Sequence, residues 1–550
     1  MMQRMKITFL LLVLTAPSAF SQKLKKADKL TLENLETHIR YLADDQLEGR
    51  RTGSPGEKMA GEYISAELRK AGLQPRGENG GWLQSFEVND GKKISDDTHF
   101  FINNQELLPG RDYFPFPFSA IGTVTGSPAI ALHEKDTPWF VDLKDLLEAG
   151  QGNPHFDLEG AVQGRVKDCV KKGATAIIFY NSSKTPDNLG FDPKDPAAAL
   201  EVPVLYVTKE AKRKYLKDES ASQDIKIRVG ISEMKRTGHN VLGYLDNGAS
   251  TTVVIGAHYD HLGHGEDSNS LYRGTDRPVF NGADDNASGT AGMIELARLL
   301  KQSKLKGNNY LFIAFSGEEL GLFGSHYFVE HPTVPLASVN YMINLDMIGR
   351  LNDTSHALTL GGYGTSPAWG EVSGKINGKK YFAFRYDSSG MGPSDHTSFY
   401  SKDIPVLFFF TGIHADYHKP TDDYDKINYS GELQVVKYIY ALVESLNNRG
   451  RIAFTKTRDT QFSQARFSVT LGILPDYSFS GGGVRIDAIS EGRPAQKAGL
   501  QAGDIIIGLG DFTVSSLDNY MDALSAFKKG DTAKLKYIRA SKTAETAVQF

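Results

Sequence analysis

From about Asn240 to Leu446 the chain alternates strand-like and helix-like runs, and nothing else in it restricts the fold as much. The runs are TTVVIGA, GTAGMIELARLLKQ, NNYLFIAFS, VNYMINL, IPVLFFF and ELQVVKYIYALVESL, in that order. Strands that alternate with helices imply a mostly parallel sheet covered by helices, so the expected core is α/β with helices on both faces. Further towards the N-terminus, Leu30 to Leu73 reads as helical. In EKMAGEYISAELRKAGL apolar residues recur at three and four spacing, and Gly72 reads as a C-cap. Between them, Phe101 to Val229 is strand-rich, with VKKGATAIIFYNSS and VPVLYVTKEA as short β-rich runs bounded by turn residues. NNRGRIAFTKTRDT, from Asn447 to Thr460, is polar and basic and reads as a linker. The remaining residues, 461–550, form another unit: strand, Gly-rich turn at Gly481 to Gly483, strand, short helix near Ala495, then AGLQAGDIIIGLGD. With 550 residues in all, three or four domains of roughly 150 residues fit the length.

The acids and histidines fall where the strands end. VVIGAHYD closes one strand with His258 and Asp260, two apart and therefore on the same side of extended chain. YLFIAFSGEE closes another with Glu318 and Glu319, VNYMINLD a third with Asp346, and IPVLFFF runs into TGIHADYHKPTDD. NGADDNASG puts Asp284 and Asp285 before a helix. Ligands of open parallel sheets sit beyond the carboxyl ends of the strands, so these groups should converge there. Carboxylates and imidazoles without thiolate suit zinc, cobalt or manganese. His258, Asp285, Glu319, Asp346 and His418 could hold two such ions if one carboxylate bridges. Three carboxylates against two dications leave a formal excess of about one positive charge, which a hydroxide could neutralise. Glu318, next to a ligand but aimed elsewhere, could be the general base. Asp260 could hydrogen-bond the far nitrogen of His258. His261 and His264 read as pocket-side or exposed residues outside the ligand set.

Composition narrows the alternatives. Lys and Arg total 62 against 66 Asp and Glu, a net charge of -4, which argues against a nucleic-acid partner bound through bulk charge. Cys169 is the single cysteine, so one chain can hold neither an internal disulfide nor a thiolate zinc site. The first residues, MMQRMKITFLLLVLTAPSAFSQ, combine basic Arg4 and Lys6, a short apolar run from Ile7 to Ala16, and Ala19 and Ser21 ahead of a cut before Gln22. That is a secretory signal pattern over 1–21, and it leads us to expect export to a periplasm or out of the cell. No later segment is long and apolar enough to span a bilayer.

HYDHLG, GADDNASG, SGEELGLFGS, NLDMIGR, SDHTSF and YHKPTDD, in this order, resemble the zinc-dependent M28 peptidases. The resemblance covers roughly Leu30 to Leu446 and implies an aminopeptidase-type fold with two co-catalytic zinc ions, built from 22–100 and 230–446. It implies that His258 and Asp346 bind one zinc, Glu319 and His418 the other, and that Asp285 bridges. Glu318 is then the general base and Asp260 the partner of His258. The second Asp of GADD is the family's bridge, hence Asp285 over Asp284; the family's histidine precedes an Asp by four residues, hence His418, with Asp422, over His414. Asp395 and His396 match a recurring element that shapes the pocket or caps a turn. The 101–229 segment resembles the protease-associated (PA) domain inserted in such enzymes, where it roofs the active site. Residues 461–550 resemble a PDZ domain, with Thr470, Leu471, Gly472 and Ile473 as a carboxylate-binding loop beside which a C-terminal peptide would add as a strand. Together these resemblances and the leader imply an exported metalloexopeptidase that removes N-terminal residues from peptides. Carboxypeptidase action, glutaminyl cyclisation and an inactive binding protein are the competing readings.

Overall fold

The structure, a computed structural model, describes residues 25–150, 158–195, 197–267, 269–376, 381–457, 469–475, 482–489, 493–515, 517–540 and 542–550. The expected leader over 1–21, the end of the expected linker (458–460), the start of the expected C-terminal unit (461–468) and Gly481 of its expected Gly-rich turn lie outside them.

The helical stretch at the N-terminal end is two helices, α1 (Lys26–Leu42) and α2 (Pro55–Lys70). The chain breaks between them because Gly49 must lie against the loop after the first core strand. It has φ +67, and a Cβ on it would meet the Gly263 carbonyl oxygen at 2.5 Å. α2 starts on Ser54, whose Oγ accepts Glu57 N–H at 3.2 Å, with Pro55 in the first turn. Glu57 is fully buried and accepts from His239 N–H at 2.8 Å and Tyr259 O–H at 3.1 Å. A surface-looking acid thereby ties this helix to the strand end that carries His258.

The main sheet is built from β1 (Gln74–Pro75), β2 (Leu83–Ile94), β3 (Ile231–Leu245), β4 (Thr252–His258), β5 (Asn309–Phe315), β6 (Val339–Leu345), β7 (Ala357–Gly361), β8 (Ala383–Tyr386) and β9 (Val406–Phe410). Its order is β1-β3-β5-β4-β6-β9-β7-β8, with β2 paired on β3. The four central strands β5, β4, β6 and β9 are mutually parallel. Alternation along each strand divides the core in two. Val253, Ile255, Phe312 and Ile343 pack under α1, α2, α3 (Gly289–Gln302) and a long helix, Tyr429–Leu446. Val254, Leu311, Ile313 and Met342 pack on the opposite face against Phe328 of α4 (Phe323–Glu330) and Phe399 of α5 (His396–Tyr400). Each such apolar side chain, fully buried, is worth roughly 1.5–3 kcal/mol. The double-sided cover holds the strand ends rigid.

β2 and β3 continue past the sheet as an antiparallel ribbon, paired from Leu83 with Val241 to Ile94 with Ile231. Beyond it lie two four-stranded sheets made from residues between 99 and 229. Phe100, Ile178, Leu205 and Ile225 form the core between them, and the helix Leu158–Lys171 covers the outer face of one. The C-terminal unit has its own core, including Ile486, Ile506, Leu509 and Leu535, and its short helix spans Pro494–Lys497. The stretch read as linker is tied down as far as it is described: Arg451 donates to the Val339 carbonyl at 3.0 Å and Thr455 N–H to that of Thr365 at 2.8 Å. Among the described residues no helix is long and apolar enough to cross a membrane.

Candidate metal centre

Five side chains meet beyond the carboxyl ends of β4, β5, β6 and β9. His258, the last residue of β4, is 1% exposed, and its Nε2 lies 3.4 Å from Asp285 Oδ1 and 3.4 Å from Asp346 Oδ1. His418 Nε2 lies 3.2 Å from Asp285 Oδ2 and 3.2 Å from Glu319 Oε2. Asp285 thus turns one oxygen to each half of the cluster. The Nδ1 of both rings is already engaged, at 3.2 Å from the Asp260 carbonyl oxygen for His258 and 2.8 Å from the Asn269 carbonyl oxygen for His418. A carbonyl only accepts, so Nδ1 carries a hydrogen, and Nε2 is the nitrogen turned to the carboxylate oxygens. In the neutral ring its lone pair would face theirs, a repulsion relieved only by a cation between them, either a metal ion or a proton on Nε2. Burial alone would lower both imidazoles, yet the facing carboxylates, Asp346 for His258 and Glu319 for His418, hold both well above the ordinary histidine range. The donor set, of imidazole and carboxylate without thiolate, fits divalent metal ions.

The loop that presents Asp285 is fixed from several sides. Gly282 has φ +55, and a Cβ there would meet the Asp285 carbonyl oxygen at 2.2 Å and His261 Cγ at 2.6 Å. Asp422 Oδ2 accepts the N–H groups of both Asp284 and Asp285 at 3.0 Å. Asn286 donates to the Leu345 carbonyl at 3.0 Å and accepts from Met347 N–H at 3.1 Å, coupling this loop to the end of β6. Asp346 Oδ2 accepts from Ser394 Oγ at 2.7 Å.

Asp260 differs from expectation in detail. Its carboxylate is 3.7 Å from His258 Nδ1, and the backbone carbonyl makes the closer contact. The side chain instead accepts from Thr52 Oγ1 at 2.9 Å and from Glu318 N–H at 3.2 Å, because the chain leaves the strand after His258. His261 is buried, where the sequence suggested a pocket-side or exposed residue. Its Nδ1 donates to Glu319 Oε1 at 2.7 Å, opposite the oxygen facing His418. His264 is half-buried, with Nδ1 near the Arg277 and Pro278 carbonyls. His414 faces Asp284 Oδ2 at 3.2 Å, one layer behind the cluster. Asp395 is fully buried, and burial pushes its carboxyl up to about 7. His396 lines the pocket, stacks on Phe408 at 4.6 Å, and is pushed down to about 4 by burial.

Sequence reasoning missed Arg50. It is 1% exposed and donates to the carbonyls of Tyr259 at 2.7 Å, Asn281 at 2.6 Å, Gly282 at 3.0 Å and Leu42. Burial pulls its guanidinium down to about 10, against the upward pull of Asp260, Asp285, Asp422 and Glu319. A lone arginine in a polar loop carries no signal for this role.

Next to the cluster a cleft of about 980 Å³, its mouth included, is lined by His258, Asp285, Glu318, Asp346 and His418 together with Met347, Phe408, Phe410 and Tyr417. Burial holds the Glu318 carboxyl well above its usual range against the pull of His258. Thr470 to Ile473 precede or open the edge strand Ile473–Pro475, but Gly472 N–H already donates to Thr470 Oγ1 at 3.0 Å. Pro475 from that strand borders the cleft.

Residues 240–443 match the family model of peptidase family M28, and residues 452–550 that of the PDZ domain. The chain carries an M28 peptidase domain. It is 28% identical over 282 residues to aminopeptidase YwaD of Bacillus subtilis, covering 48% of this chain and 55% of that one. It is 30% identical over 220 residues to the uncharacterized protein YfbL of Escherichia coli, covering 35% and 66%. The chain thus spans little more than half the length of YwaD. The structure of a zinc aminopeptidase from Bacillus subtilis aligns with it at 20% identity and a TM-score of 0.42, over 77% of this chain and 95% of that one. All five converging side chains lie inside the M28 domain.

Proposed function

We propose that the chain is an exported metalloaminopeptidase holding two zinc ions, with cobalt or manganese able to occupy the same donors. One observation carries the reading. Asp285 offers its two oxygens to two different histidines, at 3.4 and 3.2 Å, each histidine faces a second carboxylate, and the pair borders an open cleft. His258 and Asp346 would hold one ion and Glu319 and His418 the other, with Asp285 shared between them. Zinc bound there would polarise a peptide carbonyl and acidify water. Glu318, on the cleft wall, takes a proton from the attacking water and returns it to the leaving amine. Burial keeps its proton affinity high, and dications bound beside it would oppose that shift, leaving it able to do both. Asp260 orients Glu318 by accepting its backbone N–H and sets the His258 tautomer through its own carbonyl. His261 does the same for Glu319. His396 shapes the wall, with Asp395 buried behind it. The 101–229 insert acts as a PA domain that limits access, and the PDZ domain, through Thr470, Leu471, Gly472 and Ile473, binds peptide C-termini. The leader-like sequence over 1–21 supports export.

The test is hydrolysis of one short peptide with a free and a blocked N-terminus, with and without chelator. Chelator-sensitive release of the first residue, from the free peptide only, is expected. Cleavage of both from the C-terminal end would replace this reading with carboxypeptidase action.

A further inference from the structure

One acid in the cleft takes no part in the metal cluster. Asp387 follows β8 directly, is half-buried and lines the same cleft as His258 and Glu318. Its carboxylate accepts from Ser389 N–H at 2.9 Å, and among the described residues no cationic group forms an ion pair with it. Away from the metal cluster, the same cleft has an apolar and aromatic wall of Met347, Phe408, Phe410, Ile413 and Tyr417. A carboxylate held among apolar side chains without a counter-charge is costly unless a cation arrives with the ligand. Burial does push its carboxyl up, and the Ser389 amide only partly opposes this.

Resting on the aminopeptidase reading above, we propose that Asp387 makes this cleft select N-terminal residues with an apolar stem and a cationic tip, lysine and arginine. The four-carbon stem of lysine lies along the aromatic and aliphatic wall while its ammonium meets the carboxylate. Arg385, two residues earlier, also lines the cleft but is exposed. As an exposed group its charge is screened more than that of the half-buried Asp387, so the acid decides the preference. His396, held neutral by burial, adds no competing cation.

Lysine and norleucine differ by the terminal ammonium alone, and they isolate the effect. In the zinc-loaded full chain, kcat/KM for lysyl-p-nitroanilide should exceed that for norleucyl-p-nitroanilide by roughly 10- to 100-fold, the range for a charge-assisted hydrogen bond. In Asp387→Asn the ratio should fall towards one, with the norleucyl substrate changed by less than about 3-fold and Arg385→Ala leaving the ratio within about 3-fold. No lysine preference in the unmodified protein, or equal losses on both substrates in Asp387→Asn, overturns the proposal. The second result would mean that Asp387 holds the α-amino group common to both. If neither substrate is cleaved, the aminopeptidase reading fails and Asp387 is judged by binding. Calorimetry should then show lysinamide binding more tightly than norleucinamide to the unmodified protein and equally to Asp387→Asn. Equal affinities for the unmodified protein overturn the proposal.

Discussion

Replacing Arg50 by methionine removes a buried cation whose partners are all backbone carbonyls. Four acceptors lose their donor: Leu42, Tyr259, Asn281 and Gly282. At about 1–3 kcal/mol per buried group left unsatisfied, the loss is about 4–12 kcal/mol. Against it stands the net penalty of holding the cation there, released on substitution. The fall of its pKa from 12.5 to about 10, which is burial less the opposing pull of the nearby acids, puts that net penalty at about 3 kcal/mol. Arg50→Met should therefore destabilise by about 1–9 kcal/mol, centred near 5, and Arg50→Lys, with three donors and no fork, by about half as much. Urea unfolding followed by tryptophan fluorescence reports on the right core, because Trp369 is fully buried in it. Three of the four carbonyls, those of Tyr259, Asn281 and Gly282, lie on the segments that carry His258 and Asp285, so zinc affinity should also fall, by about 10- to 100-fold. An Arg50→Met protein within about 1 kcal/mol of the parent, binding zinc equally well, would refute the reasoning.

Three further outcomes are expected. Glu318→Gln should keep its zinc, measured by elemental analysis, and lose roughly 10²- to 10⁴-fold in kcat; retained activity would remove Glu318 as the base. Asp285→Ala should lower metal content at both positions, and two ions still bound per chain would refute the bridge. Asp416 gives a pH signature. Burial alone would raise its carboxyl, but hydrogen bonds from Lys426, Thr421 and Arg350 outweigh that and hold it at about 2. Its folded pKa lies below the unfolded value, so its stabilisation is full above about pH 4 and disappears as pH falls through about 2. After discounting for solvent screening it amounts to about 1–2 kcal/mol. Asp416→Asn should therefore be less stable than the parent at pH 5 and equal to it near pH 2; a gap that does not change with pH would contradict this.

The parts of the site that could be read from sequence are those that strand ends deliver. His258, Glu319 and Asp346 each close or follow a run of buried apolar residues, and a parallel sheet brings such ends to one edge. The sheet itself was legible for the same reason, since periodicity switches plainly between strand and helix there. What was not legible comes from residues whose partners lie far off in sequence. Arg50 meets carbonyls more than two hundred positions away, and Asp422 holds the amides of Asp284 and Asp285 across a separation of 137 to 138 residues. Neither carries a local pattern. His261 looked peripheral because nothing in HYDHLG distinguishes a ring aimed at Glu319 from one aimed at solvent. The break between the first two helices was hidden too, since Gly49 is forced by its approach to Gly263.

The ribbon of β2 and β3 has a genetic consequence. Ile94 and Ile231 are cross-strand partners, and Ser95 N–H still donates to the Gly230 carbonyl at 3.0 Å. The polypeptide departs and comes home at one spot. A two-residue hairpin turn joining those strands could therefore replace everything between them without moving a single residue of the main sheet. The stretch behaves as a cassette: recombination can lengthen, exchange or excise it while the reading frame of the metal-bearing half stays in register. Lys194, which reaches back to Asp90 and Asp267, is one of the few attachments such an exchange would have to rebuild.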